Sequence, residues 1–214
     1  MQNQVMIAKQ LQKEMPSSKP SVVEPIRLTR DDWLDEAFRA VVAGGFDQVK
    51  VLSIAEKLKV TRGSFYWHFA DHADLIGSLL MRWKLQQLAF DAHLQANQSG
   101  DPIKDLNYVV DEAFSQAGAA MENLRFEQAM RAMSQQNAEA AQMLVEVDAA
   151  RMALFQSKFF LIVNDQKKAR DLAALLYLAI VGSYQALSRP VNPPNIRQYL
   201  QGLISHYLVE KQVG

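Results

Sequence analysis

Cysteine is missing from all 214 residues. Its absence excludes disulfides, thiolate nucleophiles and cysteine-ligated zinc or iron–sulfur sites, and is compatible with a reducing compartment. Glycine and proline are sparse, at 9 and 7 residues, so neither a collagen-like chain nor a low-complexity one is indicated. Net charge is also lacking, since 23 Lys and Arg balance 23 Asp and Glu, and only a local field can attract a polyanion. Long apolar runs are absent too. The most apolar stretch, Leu172 to Leu187, falls short of the roughly 20 residues that cross a bilayer and contains Ser183 and Gln185. The opening "MQNQVMIAKQLQKEMPSSKP" has no continuous apolar core of the secretory kind. A cytoplasmic protein without a membrane partner is expected.

Enzyme signatures are missing as well. "VAGGF" lacks both the Gly-x-Gly-x-x-Gly spacing and a preceding strand, and reads as a helix stop. The acid pairs Asp31/Asp32 and Asp111/Glu112 are adjacent, hence point in different directions from a helix, and read as solvated surface. His68 and His72 are four apart, a metal-ligand spacing on one helix face. Asp71 between them reads better as a helix cap, which breaks that face. No enzyme, metal or cofactor is expected.

What is present is helical periodicity. Residues 1–25 form a polar tail ending in "PSSKPSVVEP". Thr29 and Asp32 have capping-box spacing before a stripe of Leu34, Ala37, Phe38 and Val41, and Gly44 and Gly45 stop that helix. A short helix follows in "VLSIAEKLKV", with Ser53 and Glu56 spaced as a second capping box. Asp71, with Asp74 three residues on, caps a long helix from His72 to about Asn97. "SGDP", "SQQNAEA" and "VNDQK" mark later connections, and "RPVNPPN" precedes a last helix over 195–210. The spacing predicts an all-α chain of about nine helices. Residues 26–72 form a three-helix domain and 73–214 a helical bundle.

The densest feature is "VTRGSFYWHF", residues 60–69. Its aromatics follow neither a strand's alternation nor a core helix's spacing. Two short helices joined by a tight turn, with small Ala55 at their crossing, form a helix-turn-helix. At about 100° per residue, Phe65 and Phe69 share the inward face, with His68 beside it. Gly63, Ser64, Tyr66 and Trp67 point outward. A helix entering the DNA major groove reads bases with its N-terminal residues, where bulk would prevent approach. Arg62 offers a fork for guanine or phosphate; Tyr66 and His68 can donate to phosphates. Residues 49–69 carry Lys50, Lys57, Lys59 and Arg62 against Glu56 alone, a net +3, whereas 24–48 total −3. Positive charge therefore gathers around the motif.

The stretch "IAEKLKVTRGSFYWHFADHADLIGSLL", together with "LDEAFRAVVAGGFDQV" before it, resembles the DNA-binding domain of TetR-family transcriptional regulators. The resemblance is carried by Ile-Ala, Val-Thr-Arg-Gly-Ser, Tyr-Trp-His-Phe and the acidic residue before Leu75. It implies a sequence-specific regulator, in most cases a ligand-responsive repressor, that binds a palindromic double-stranded operator as a homodimer. Lys50, Arg62, Gly63, Ser64, Tyr66, Trp67, His68 and His72 are the expected DNA contacts. Three residues depart from the pattern. Lys59 stands where the turn usually has glycine, His72 where a phosphate-binding lysine is common, and Leu52 where a polar residue is usual. These departures leave open an alternative, a helical ligand-binding or interaction module whose helix-turn-helix does not bind DNA.

Beyond residue 80 the resemblance fades, although "VEVDAARMALFQSKFF" and "LLYLAIVGSYQAL" are similar to the family's later helices. It implies a small-molecule effector cavity among the middle helices, with Tyr108, Met121, Phe126, Gln128, Met152 and Phe155 as candidate lining. A Met- and Phe-rich wall suits an apolar or aromatic ligand. It also implies dimerisation through the last two helices, with Leu172, Leu176, Ile180, Ser183, Tyr199, Leu203 and Tyr207 at the interface.

Overall fold

Thr29 opens the first helix with the reciprocal cap that its spacing to Asp32 predicts. The Asp32 backbone N–H donates to Thr29 Oγ1 at 3.3 Å, and the Thr29 backbone N–H donates to the Asp32 carboxylate at 2.6 Å. That second bond holds the exposed Asp32 carboxyl below the usual carboxylate range.

The computed structural model describes residues 28–113, 119–185 and 202. Along the chain they form α1 (Arg30–Gly44), a single 3-10 turn (Phe46–Gln48), α2 (Val51–Lys57), α3 (Arg62–Phe65), α4 (His72–Ala96), α5 (Pro102–Ala113), α6 (Ala119–Met133), α7 (Ala138–Val163) and α8 (Gln166–Gln185). There is no strand among the described residues, and the all-α class holds. The polar tail and the helix expected over 195–210, with Tyr199, Leu203 and Tyr207, lie outside them, as does the side chain of Ser183.

Local chemistry sets most of the boundaries. Gly45, at φ +86°, ends α1 with its N–H on the Val41 carbonyl at 2.7 Å. Asp71 Oδ1 accepts from the Asp74 backbone N–H at 2.9 Å and starts α4. Asp101 Oδ1 takes the Ile103 N–H at 3.0 Å ahead of α5, and Asn137 Oδ1 takes the Ala140 N–H at 2.9 Å ahead of α7. The second expected capping box is not formed. Because α2 begins at Val51 behind Lys50, Ser53 already lies inside the helix and cannot cap it.

Two apolar clusters build the interior. The first joins Trp33, Leu34, Phe65 and Phe69 to Leu79, Trp83, Phe126 and Val147. It crosses the domain boundary expected after residue 72 without a break. Phe126 is its hub: its ring stacks on Phe38 at 5.1 Å and on Trp83 at 5.9 Å, and meets Phe46 edge-on at 5.5 Å. Ring pairs in these geometries add about 0.5–1.5 kcal/mol each beyond the area they bury. The second cluster joins Leu94, Val109 and Phe155 to Leu172, Leu176 and Ile180.

That second cluster corrects the expected dimer surface. Leu172, Leu176 and Ile180 point into the chain's own core, where α8 packs along α7. A side chain buried within one protomer is not available to a second. The apolar residues that α8 leaves outside are Leu175 and Leu178, 53% and 66% exposed. The helix is apolar on most of its circumference, so periodicity could not tell the face that meets α7 from the face left over.

Candidate nucleic-acid interface and central cavity

The turn between α2 and α3 is held by backbone chemistry. The Val60 N–H reaches the Ala55 carbonyl at 3.0 Å and the Lys59 N–H reaches Glu56 at 3.1 Å, the paired bonds of a Schellman C-cap. Lys59 occupies the left-handed position, at φ +57°. A residue with a Cβ there costs about 1 kcal/mol relative to glycine. The turn keeps the geometry that glycine would serve, at that cost.

Only Arg62 to Phe65 is α-helical, but single-turn bonds continue to Phe69, with the His68 N–H on Phe65 at 2.9 Å. Phe65 and Phe69 are buried and stacked at 5.4 Å, and Trp33 of α1 packs edge-on against Phe65 at 5.4 Å. Outside stand Arg62, Gly63, Tyr66 and Trp67, the last 87% exposed, with Ser64 half-buried. A Cβ added to Gly63 would meet only Thr61 Oγ1, at 3.6 Å. Nothing within the described chain requires glycine there.

Lys50, Lys57, Lys59 and Arg62 are all exposed, and among the described residues no ion pair engages them. Arg30, by contrast, is occupied. It donates to the His68 carbonyl at 2.8 Å and to Asp74 Oδ1 at 3.0 Å, and lies over the Phe69 ring at 4.4 Å. It ties α1, the end of the aromatic turn and the start of α4 together. Trp33 and Arg30 are supports that sequence reasoning missed, since both lie outside the motif they hold in place.

The two histidines do less than expected at the surface. His68 is half-buried, its ring tilted against Trp33 at 6.4 Å. His72 places Nε2 at 2.7 Å from the Val49 carbonyl. A carbonyl only accepts, so Nε2 is the donor in this contact. The histidine fixes the start of α4 to the segment before α2.

A cavity of about 490 Å³ lies between α4, α5, α6, α7 and α8. Of the six expected lining residues only Phe155 borders it. Tyr108 is exposed, Phe126 is buried in the other cluster, and Met121, Gln128 and Met152 lie elsewhere on α6 and α7. Phe126 goes into packing, and the aromatic lining comes from Phe90 and Tyr177 beside Phe155.

Its wall includes charge instead. Arg151 donates to Glu127 at 2.9 and 2.8 Å and to Gln87 at 2.9 Å. Arg131 holds Glu127 at 2.6 Å and Asp148 at 2.7 Å from the other side. Burial alone would raise the Glu127 carboxyl; the two guanidinium groups keep it below the usual range. Asp91, 7% exposed, has a buried Oδ2 without a hydrogen-bond partner. Burial pushes it up to about 6, with Arg151 pulling down and Glu127 and Asp148 pushing further up. Tyr177, half-buried and bonded to Asp148, is pushed up to about 12, chiefly by loss of solvent. Sequence spacing did carry a signal for part of this network, since Glu127 and Arg131 are four apart and Asp148 and Arg151 three apart.

The molecule is thus an all-helical body carrying a helix-turn-helix at one end and a cavity among its later helices. Residues 34–79 match the family described as bacterial regulatory proteins, tetR family. The chain is 33% identical over 85 residues to the HTH-type transcriptional regulator AcrR of Shigella flexneri, a match covering 38% of each chain. Just over a third of that curated relative's length is therefore spanned. Its fold is similar to a transcriptional regulator from Rhodococcus sp. Rha1 (TM-score 0.67, 15% identity, 83% of this chain and 96% of that one). A regulator from Saccharomonospora viridis in complex with choline is also similar (0.65, 18%, 83% and 95%). The helix-turn-helix segment is thus similar to that of tetR-family regulatory proteins, and the fold of the larger part of the chain is similar to that of solved transcriptional regulators. Among the described residues no helix is long and apolar enough to cross a membrane.

Proposed function

We propose that this protein is a cytoplasmic, ligand-responsive repressor that binds a palindromic DNA operator as a homodimer through two copies of residues 62–67. The observation that carries this is the outward face of the aromatic turn. Gly63 is small without an internal reason, Tyr66 and Trp67 are exposed, and Lys50, Lys57, Lys59 and Arg62 stand around them without partners among the described residues. Small residues admit a groove edge, aromatic and basic ones meet the backbone beside it. The left-handed Lys59 supports this reading over a helix-turn-helix that has lost its purpose, because the turn geometry is retained despite the substitution.

Two copies pair through the exposed side of α8, where Leu175 and Leu178 follow each other at helical spacing. The response to ligand runs through α4 and α6. On α6, Leu124 and Glu127 border the cavity while Phe126 stacks on α1; on α4, Gln87 and Asp91 border it while His72 holds the segment before α2 and Asp74 holds Arg30, which bonds the end of the aromatic turn. A ligand that favours a different spacing of α4 and α6 alters the separation of the two recognition turns and releases DNA by its differential affinity.

Titrating the purified chain against genomic fragments at two salt concentrations tests the proposal. A specific binder retains a subset of fragments and weakens steeply with salt. Uniform retention, or none at low salt, contradicts it.

A further inference from the structure

We propose that the cavity takes a small organic cation, a protonated amine with an apolar or aromatic body, and that its ammonium group meets Asp91. The inference rests on reading the cavity as the effector site and adds the class of ligand.

Around the cavity Asp91 comes from α4, Glu127 and Arg131 from α6, and Asp148 and Arg151 from α7. Both guanidiniums are already committed. Arg131 is shared between Glu127 and Asp148, and Arg151 between Glu127 and Gln87. Within this network three carboxylates face two cations, and Asp91 is the one left over, its Oδ2 buried and without a hydrogen bond. Glu112 of α5 borders the same space and adds no positive charge, and Tyr177 of α8 is already bonded to Asp148.

A buried acceptor without a donor is costly, and a protonated amine brings both the missing charge and the missing N–H. An anion would have to draw Arg151 away from Glu127. A neutral hydroxyl could donate to Asp91 but would bring no charge to offset the carboxylate. Phe90, Leu94, Val109, Leu154 and Phe155 offer apolar and aromatic surface for the rest of the molecule, and a ring face also favours a cation. The volume of about 490 Å³ suits a ligand of drug size.

The test uses three ligands of one shape and different charge: phenylbutylamine, phenylbutanol and phenylbutyrate, each titrated into the purified chain by calorimetry. The amine should bind at least about tenfold tighter than the alcohol, with the carboxylate weakest. Asp91→Asn should bring the amine to the alcohol's affinity while leaving the alcohol unchanged. On the unsubstituted protein, lowering the pH from about 7.5 to 5 should weaken the amine about tenfold as Asp91, pushed up to about 6, takes a proton. The alcohol should not respond. Equal affinity for amine and alcohol, preference for the carboxylate, or no amine binding at millimolar concentration overturns the proposal. DNA release is measured separately. Asp91-dependent amine binding without release leaves this site standing and removes the regulatory reading, whereas release by the alcohol alone does the reverse.

Discussion

At the N-terminal end of α4 the chain turns aromatic side chains outward, and toward the C-terminal end of the same helix it turns charge inward. Trp67 and Tyr66 stand in solvent beside the start of α4, while Asp91 and the neighbouring Glu127–Arg151 pair are enclosed around the cavity. Each arrangement opposes the ordinary partition of side chains, in which apolar groups are buried and charges solvated. The cost of each also differs in kind. The exposed aromatics lose a burial gain, but Phe65 and Phe69 still anchor the turn. The enclosed charges must be compensated within the chain, and the compensation is incomplete by one cation. Both departures are local, and both fall where the chain is read here as meeting something other than itself.

The largest effect should come from breaking the enclosed network. Arg151→Leu strands Glu127 without one of its two guanidiniums and leaves Asp91 beside carboxylates alone. Urea denaturation should show a loss of about 3–5 kcal/mol. An unchanged midpoint would mean that the network is solvated and the contrast between the two regions false.

Next comes Asp91→Asn. The folded-state pKa, about 6, lies above the ordinary value of 3.8, so the folded chain binds the proton more readily than the unfolded one. The penalty of the ionised group is therefore fully present above about pH 6 and fades as pH falls toward 4. Asn should stabilise the protein by about 3 kcal/mol at neutral pH, with the difference vanishing near pH 4. Denaturation curves at the two pH values check the sign.

At the exposed end, Arg62→Ala should cost about 1–3 kcal/mol of operator binding and relax base preference, while Tyr66→Phe weakens all sequences about equally. Fragment selection followed by sequencing separates the two. Smallest is Lys59→Gly, which relieves the left-handed position and should add about 1 kcal/mol of stability or slightly less, read as a raised unfolding midpoint.

The recognition turn was legible in the sequence because its logic is contained in ten consecutive residues. One helical turn of geometry separates Phe65 and Phe69 from Gly63, Tyr66 and Trp67. Caps at Thr29 and Asp71 were legible for the same reason, as each bond spans three residues. The cavity was not. Asp91, Glu127 and Arg151 meet from three helices far apart in sequence, and an isolated acid or arginine on a helix looks like solvated surface. Phe126 misled in the opposite direction. Its chemistry fits a ligand pocket equally well, and only the packing of α6 on α1 shows that it holds the two halves together. On α8 the apolar circumference left no phase to read, so Leu172, Leu176 and Ile180 were assigned outward and lie inward.

The central claim is that the outward face of the aromatic turn docks in a DNA groove, and Gly63→Leu tests it most directly. A side chain there projects from an exposed position where a Cβ meets only Thr61 Oγ1. The account predicts unchanged helical content and unfolding midpoint, with loss of the palindromic sequences that the unsubstituted protein enriches from a random DNA pool. Enrichment of the same sequences at the same affinity by Gly63→Leu would contradict it.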